Sequence, residues 1–389
     1  MGTVEGLTRS FDCIIAGAGP GGAYLGYLLS SLGLKCLILE KKSIPRYKPC
    51  GGGLTKRALD LLPFDLTGIV EDWAVKARLC FGGGFIREVL FDQPVIGLVM
   101  RSRLDSFLVS KAQEAGAVVL TGVAFKDVKA ASGGSLEVQT TAGDFKALVL
   151  AGADGAGSRT ARALGLWKNR VGCPAVEAEV YPLSRESLDA WRGMVEFDFS
   201  AAPKGYGWVF PKADHLSVGV FSTGKETKGL RGRLFDFMVS RGLKEQDIKG
   251  IRGHMIPLGP HNGPFASPVG LLVGDAAGLA DPITGEGIYH ALRQAELAAR
   301  CIAATLTGKN GRLTVYNSLV QEEFIRELSY ARRLAHLFYG MPRLSRLMMR
   351  VGTDKVIGYH LDIITGRRAY RDLFLKAVNP LTFLSSAFG

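Results

Sequence analysis

The sequence offers little that would hold a metal ion or a nucleic acid. Its six cysteines and six histidines are scattered over 389 residues without the spacing of a zinc site, and no histidine stands in a catalytic pattern. It also lacks an RNP-like strand and a compact basic block. We therefore expect no metal site and no nucleic-acid partner. Cysteines without a disulfide framework are typical of a reduced protein, so the expected location is cytoplasmic.

Long apolar runs and acidic residues are also scarce. No uncharged apolar stretch reaches the roughly 20 residues that cross a bilayer, and polar residues interrupt the N-terminal segment where a signal peptide is apolar. The 36 acidic residues are outnumbered by 48 lysines and arginines, which gives a net charge of +12. In the tail, basic residues are interleaved with apolar ones: Arg332, Arg333, Arg343, Arg346, Arg350, Arg367, Arg368 and Arg371. This mixture predicts either peripheral contact with an anionic membrane or a solvated basic helix face.

Glycine, in contrast, is abundant, with 50 residues in short clusters. The first cluster has the spacing GxGxxG and lies between an apolar strand pattern at residues 11–16 and a helix pattern at 23–32. A helix that starts after such a turn directs its free amides at a pyrophosphate. We therefore predict that one segment cradles a dinucleotide: Gly17, Ala18, Gly19, Pro20, Gly21 and Gly22. Glu40, at the end of the next strand, is expected on the ribose hydroxyls, with Lys41 beside it.

GxGxxG alone does not separate NAD from FAD, and a second glycine-rich segment favours FAD. Asp275 follows an apolar strand pattern at 270–273, as expected for a contact to the flavin side of a dinucleotide. Gly285, Gly287 and Ile288 stand where the next helix begins, so their amides would neutralise the negative charge of reduced flavin.

Together these motifs carry a family resemblance. The GAGPGG segment with Glu40, the RxxLD pattern from Arg101, the ADG triplet around Asp154 and Gly274-Asp275 resemble the superfamily of FAD-dependent hydroxylases and reductases typified by p-hydroxybenzoate hydroxylase. The resemblance implies that noncovalent FAD contacts Arg101, Asp275 and the Gly287 and Ile288 amides. It also implies that Asp154 braces the loops around the flavin.

The resemblance implies an α/β fold: a Rossmann-type FAD-binding domain, an inserted antiparallel β-sheet substrate domain and a helical C-terminal region. The expected bounds are 1–75, 100–170 and 260–305 for the first, 76–99 and 171–259 for the second, and 306–389 for the third. Alternating patterns at 193–199, 205–210 and 216–221 independently predict an antiparallel sheet with one face over a ligand. We also predict a helix at 54–62, and helix breaks in the tail at Pro342 and Pro380.

Two further motifs narrow the resemblance to the geranylgeranyl reductase family. PRYKPCGGG at 45–53 resembles the segment that this family places beside the flavin ring, which implies that Cys50, Gly51 and Gly52 lie there. YGWVFPK at 206–212 resembles the family's YxWxFP motif. Its apolar members are expected to wall a substrate slot: Tyr206, Trp208, Phe210 and Pro211. The alternative is that the three aromatic residues are ordinary core residues. Cys50 either donates a proton or merely fits a crowded turn.

The implied activity is saturation of carbon–carbon double bonds in a prenyl chain, carried by a lipid, a quinone or a chlorophyll-type alcohol. NAD(P)H or ferredoxin would supply the electrons; no second GxGxxG is present. Two alternatives remain open. One is an aromatic hydroxylase or halogenase, although the sequence has neither a polar cluster to hold a small carboxylate nor a GWxWxIP motif. The other is a flavin-containing lipid-binding protein without enzymatic activity.

Overall fold

The computed structural model describes residues 8–167, 172–182, 184–224, 229–308, 311–341, 358–359 and 362–377. The chain divides into two compact units of three segments each. The first comprises Met1–Tyr47, Ser102–Val171 and Pro257–Arg326. The second comprises Lys48–Arg101, Gly172–Ile256 and Glu327–Gly389. Residues 48–75, expected in the FAD-binding domain, thus group with the second unit, and the expected domain bounds stay a prediction.

The described strands are β1 (Ser10–Ala16), β2 (Cys36–Glu40), β3 (Gly53–Thr55), β4 (Val70–Ala74), β5 (Lys76–Cys80), β6 (Ile86–Leu90), β7 (Ile96–Val99), β8 (Val118–Thr121), β9 (Phe125–Ala130), β10 (Leu136–Thr140), β11 (Gly143–Gly152), β12 (Gly172–Val180), β13 (Met194–Asp198), β14 (Gly205–Pro211), β15 (Leu216–Ser222), β16 (Ile248–Pro257), β17 (Ala266–Ser267) and β18 (Gly270–Leu272). The helices are α1 (Pro20–Ser31), α2 (Lys56–Leu61), α3 (Arg101–Glu114), α4 (Arg159–Ala163), α5 (Arg185–Asp189), α6 (Leu230–Ser240), α7 (Ile288–Leu306), α8 (Val315–Val320), α9 (Arg326–Gly340) and α10 (Tyr370–Ala377).

The first unit is built on a largely parallel sheet with the strand order β17-β18-β11-β1-β2-β8. β1 pairs in parallel with both β2 and β11, and β2 is buried along its whole length. The hairpin partner β10 extends the sheet from β11. The expected strand–helix–strand unit at the start of the chain is confirmed. Its helix begins at Pro20, earlier than the pattern suggested, because proline in the first turn needs no hydrogen-bond partner.

The second unit contains a seven-stranded sheet in the order β16-β12-β15-β14-β13-β5-β6. The expected antiparallel sheet is confirmed, with one parallel pair, β5 and β13. One face carries Val209 and Val218, which belong to a core shared with Leu234 and Phe237 of α6. The opposite face carries the aromatic residues of β14. The sheet therefore has a covered structural face and a face rich in aromatic side chains.

A three-stranded sheet, in the order β3-β7-β4, completes the strands of the second unit. The predicted helix at 54–62 was wrong at its start, because Leu54 lies in β3 and pairs with Gly97 of β7. Only α2 is helical there. Pairing with a distant strand outweighs the local helix preference of this short segment.

The C-terminal region is helical where it is described, as expected. A π-helical segment, Gln321–Ile325, lies between α8 and α9. The predicted breaks at Pro342 and Pro380 and the basic residues Arg343, Arg346 and Arg350 lie outside the described residues. Among the described residues, no helix is both long and apolar enough to cross a membrane.

Candidate active site

The turn between β1 and α1 requires its glycines for steric reasons. Gly17 has a left-handed φ of +107°, and a Cβ there would lie 2.3 Å from the Ala153 carbonyl oxygen. A Cβ on Gly22 would lie 2.0 Å from the Gly17 oxygen. No side chain caps the N-terminus of α1, where Gly19 precedes Pro20. The closely packed turn thus presents uncapped helix amides, which fits the pyrophosphate of a dinucleotide.

Glu40 is buried at the end of β2, where three groups fix its carboxylate. Its oxygens accept the Ala18 N–H at 3.2 Å and the Lys42 N–H at 3.0 Å. Arg46 donates to Glu40 at 3.0 Å and to Asp105 at 2.8 Å. Lys41 is exposed beside this cluster. The structure therefore brings Glu40 to the glycine turn, as expected, and adds Arg46, whose partners no sequence pattern revealed.

The second glycine-rich segment also folds around backbone amides. Asp281 accepts the N–H groups of Ile283 at 2.7 Å and Thr284 at 3.0 Å, which shapes the turn before α7. Gly285 in that turn has a φ of +68°. α7 then begins at Ile288, and Gly287 caps it without a side-chain hydrogen bond.

Asp275 lies next to the start of α7. A Cβ on Gly287 would be 3.5 Å from its Oδ1 atom. The structure thus brings the predicted Asp275, Gly287 and Ile288 together, and the uncapped amides suit an anionic group. Asp154 accepts from Ser158 and the Arg159 and Thr160 amides, so it braces the turn into α4. Arg101 is buried at the first residue of α3.

In the second unit, the glycine loop (residues 50–53) packs tightly against two strands. Gly52 has a φ of +68°, and a Cβ there would lie 2.0 Å from the Val99 oxygen of β7. A Cβ on Gly51 would lie 2.9 Å from the Phe210 ring and 3.1 Å from Trp208 Nε1. Cys50 is half-buried, and its Sγ accepts the Gly52 N–H at 3.4 Å. The structure therefore joins the two motifs that the sequence analysis singled out separately.

The aromatic residues of β14 form a continuous surface with their neighbours. Tyr206, Trp208 and Phe210 alternate along the strand and are each less than a tenth exposed. Tyr206 packs edge-on against Phe221 at 4.7 Å, and Phe210 against Phe197 at 5.4 Å between ring centres. We call this surface the aromatic face. Pro211 ends the strand and, by alternation, belongs to the opposite face.

Two buried ionisable residues next to the glycine loop were not found from the sequence. Lys212 is fully buried, and its Nζ donates to the carbonyl oxygens of Gly51 at 2.7 Å and Val99 at 3.1 Å. Burial lowers the pKa of Lys212 to about 8. Glu177 of β12 accepts the Ser217 hydroxyl at 2.7 Å, and burial raises its pKa. Lys212 is the last residue of the YGWVFPK motif. Glu177 belongs to no motif, and its only distinguishing feature in the sequence is that it is an acidic residue in an apolar strand pattern.

Among the described residues, one group of side chains has the proximity of a metal site: Cys80, Glu196 and Asp198. Arg241 donates to both carboxylates of this group. Arg78 lies 3.6 Å from Glu196. Guanidinium groups thus already supply the positive charge that these carboxylates need, and we assign this cluster a structural role.

Comparison with known proteins agrees with this geometry. The FAD binding domain family matches residues 10–192. A geranylgeranyl diphosphate reductase of Synechocystis sp. is 30% identical over 314 residues, 75% of each chain. A menaquinone reductase of Mycolicibacterium smegmatis is 29% identical over 85% of each chain. A geranylgeranyl bacteriochlorophyll reductase-like protein of Thermoplasma acidophilum shares the fold, with a TM-score of 0.76 at 23% identity over 86% of this chain and 88% of that one. The chain therefore belongs to the geranylgeranyl reductase family of FAD-dependent oxidoreductases.

Proposed function

We propose that this protein reduces carbon–carbon double bonds in a prenyl chain, borne by a lipid, a quinone or a chlorophyll-type alcohol. One observation carries the proposal: within one unit, the glycine loop with Cys50 packs directly onto the aromatic face. Relatives named geranylgeranyl diphosphate reductase and menaquinone reductase support a prenyl substrate. They differ in the group that bears the chain, so the proposal assigns the prenyl chain and no single head group.

FAD would be held by the glycine turn before α1, by Glu40 and by the amides at the start of α7. Reduced FAD bound there would supply the hydride that the reduction requires. The remaining requirements fall to side chains. An isolated alkene carries no group that activates it, so the slot around it must be apolar and dry. Tyr206, Trp208 and Phe210 provide such a wall.

The second alkene carbon needs a proton, and we propose that the Cys50 thiol delivers it. Cys50 is the only ionisable residue within the glycine loop, and it is half-buried rather than sealed in the core. When the thiol proton forms a C–H bond, a thiolate remains, and solvent must reprotonate it before the next turnover. Gly51 and Gly52 let the loop that carries Cys50 pack closely, because a side chain there would collide with Phe210 or with the Val99 carbonyl.

The proposal also includes the electron donor and the location of the protein in the cell. NAD(P)H or ferredoxin would reduce the noncovalently bound FAD. A cytoplasmic protein that acts on a prenyl lipid would reach its substrate through peripheral contact with an anionic membrane. Arg332 and Arg333 of α9 are exposed and would contribute positive charge to this contact.

Product analysis tests this function. The purified protein is incubated anaerobically with a chemical reductant and geranylgeranyl diphosphate. The molecular mass of the recovered lipid is then measured by mass spectrometry. We expect a gain of two hydrogens for each saturated double bond. An oxygenated or halogenated aromatic product, formed only with oxygen present, would instead identify a hydroxylase or halogenase.

A further inference from the structure

One buried ammonium joins the glycine loop to the neighbouring three-stranded sheet. Lys212 follows β14, and its Nζ donates to Gly51 of the loop at 2.7 Å and to Val99, the last residue of β7, at 3.1 Å. An ammonium has three donors, so this one cation satisfies two carbonyl acceptors at once. Without it, both carbonyl oxygens would lack this donor.

The shape of the loop depends on this contact. Gly52 directly follows Gly51 and has a left-handed conformation, and its carbonyl accepts the Val99 N–H at 2.8 Å. A Cβ on Gly52 would lie 3.0 Å from Nζ, so the ammonium fills the space directly under the loop. Cys50 is two residues away and bonds to the Gly52 N–H. The position of its thiol is therefore tied to the Lys212 clamp.

A buried cation needs a counter-charge, and among the neighbouring charges Glu177 raises the Lys212 pKa most. Glu177 is 5% exposed and lies opposite Gly219, which in turn pairs with Trp208. Ser217 links the two residues, because it donates to Glu177 at 2.7 Å and accepts from Trp208 Nε1 at 3.3 Å. Glu177 is thus connected to Trp208 of the aromatic face through one hydrogen-bonded chain.

We propose that Lys212 is a positioning residue for alkene reduction: its ammonium clamps Gly51 and Val99, with Glu177 as counter-charge, and so holds the Cys50 thiol where it delivers its proton. This inference rests on the proposed function, because the thiol position matters for that proton transfer. Lys212 itself touches neither alkene nor flavin in this role.

The clamp depends on pH, because only the protonated form of Lys212 carries the charge. Burial lowers the pKa of Lys212 to about 8, against the raising effects of Glu177, Cys50, Glu71 and Asp72. The other neighbours act on its backbone: Arg192 donates to the Lys212 carbonyl, and His215 accepts from the Lys212 N–H. The ammonium is therefore present below pH 8 and is lost as the pH rises through that value. Alkene reduction should fall in the same range.

Hydrogen exchange tests the clamp without any substrate. Lys212→Met removes the charge at similar length, and Lys244→Met is the matched control, since Lys244 is exposed in the same unit. At pH 7 we expect amides of residues 48–55 and 96–100 to exchange about 10-fold faster in Lys212→Met, the scale of one lost hydrogen bond to a charged group. The control and the β1 amides should match the wild type. Unchanged exchange in Lys212→Met overturns the clamp.

A second variant covers the case in which Lys212→Met fails to fold. Glu177→Gln preserves side-chain volume but removes the carboxylate that favours the ammonium, so the alkaline fall in kcat should move to a lower pH than in the wild type. If kcat of Glu177→Gln falls at the same alkaline pH as that of the wild type, the assignment of Glu177 and Lys212 as a pair is overturned. If exchange responds as expected but the wild type saturates no prenyl chain, the clamp stands and the proposed function fails.

Discussion

Gly219 sits beneath the indole ring of Trp208, and its replacement by alanine should disturb the aromatic face specifically. The two residues pair across β14 and β15. A Cβ on Gly219 would lie 2.1 Å from Cζ2, 2.3 Å from Cη2 and 2.6 Å from Cε2 of the ring. Carbon atoms make favourable contact at about 3.5–4.0 Å, so the ring must move by roughly 1.5 Å.

The cost of that movement follows from the contacts of Trp208. Its Nε1–Ser217 hydrogen bond is already 3.3 Å long, and displacement breaks it. An unpaired buried N–H costs about 1–3 kcal/mol. Forced repacking of a filled core costs about 1–3 kcal/mol more. We therefore expect Gly219→Ala to lose at least about 2 kcal/mol, or about 2 °C or more in melting temperature for a chain of this length.

Thermal unfolding followed by tryptophan fluorescence measures this loss, and anaerobic flavin reoxidation by a prenyl substrate measures the effect on activity. Gly232→Ala is the matched control, because Gly232 lies in α6 of the same unit with no atom within 4 Å of an added Cβ. Alanine there should stabilise the helix by about 0.5–1 kcal/mol. Both variants should retain FAD. A Gly219→Ala protein with the wild-type melting temperature and reoxidation rate would refute this account of the aromatic face.

Three further predictions concern the flavin, the proton and the membrane. Gly19→Val should abolish retention of FAD, measured by flavin absorbance after gel filtration, because its side chain would occupy the space where the turn meets the pyrophosphate; a yellow variant would contradict the assigned cradle. Cys50→Ser should keep FAD and its reduction by the donor but slow alkene reduction about 100-fold, the scale of lost general acid catalysis; a wild-type rate would leave Cys50 a structural residue. Binding to anionic vesicles should weaken from low to high salt, and equal affinity for neutral vesicles would remove the electrostatic contact.

The parts of the fold predicted correctly from the sequence depend on local patterns. The GxGxxG turn, the strands around it and Glu40 lie within 31 residues, from Ser10 to Glu40, and strand–turn–helix spacing alone specifies them. The alternating strands of the second unit were likewise visible because side chains alternate strictly between the faces of a sheet.

The residues that were missed depend on contacts between distant segments. Lys212 bonds to Gly51 across 161 residues of sequence, and Arg46 to Asp105 across 59. Such contacts follow from strand register and loop packing, and the periodicity of hydrophobic residues within a short segment does not reveal either of them. Leu54 shows the same limit, since its pairing with Gly97 replaced the helix start that the local pattern predicted.

Anaerobic reoxidation of the reduced protein tests the central claim most directly. Stopped-flow mixing with geranylgeranyl diphosphate, and separately with its fully saturated analogue, is followed by the return of oxidised flavin absorbance. We predict reoxidation by the unsaturated chain alone, with one flavin oxidised for each double bond saturated. A flavin that stays reduced with both prenyl compounds, but reoxidises when oxygen and an aromatic substrate yield an oxygenated product, would contradict the account.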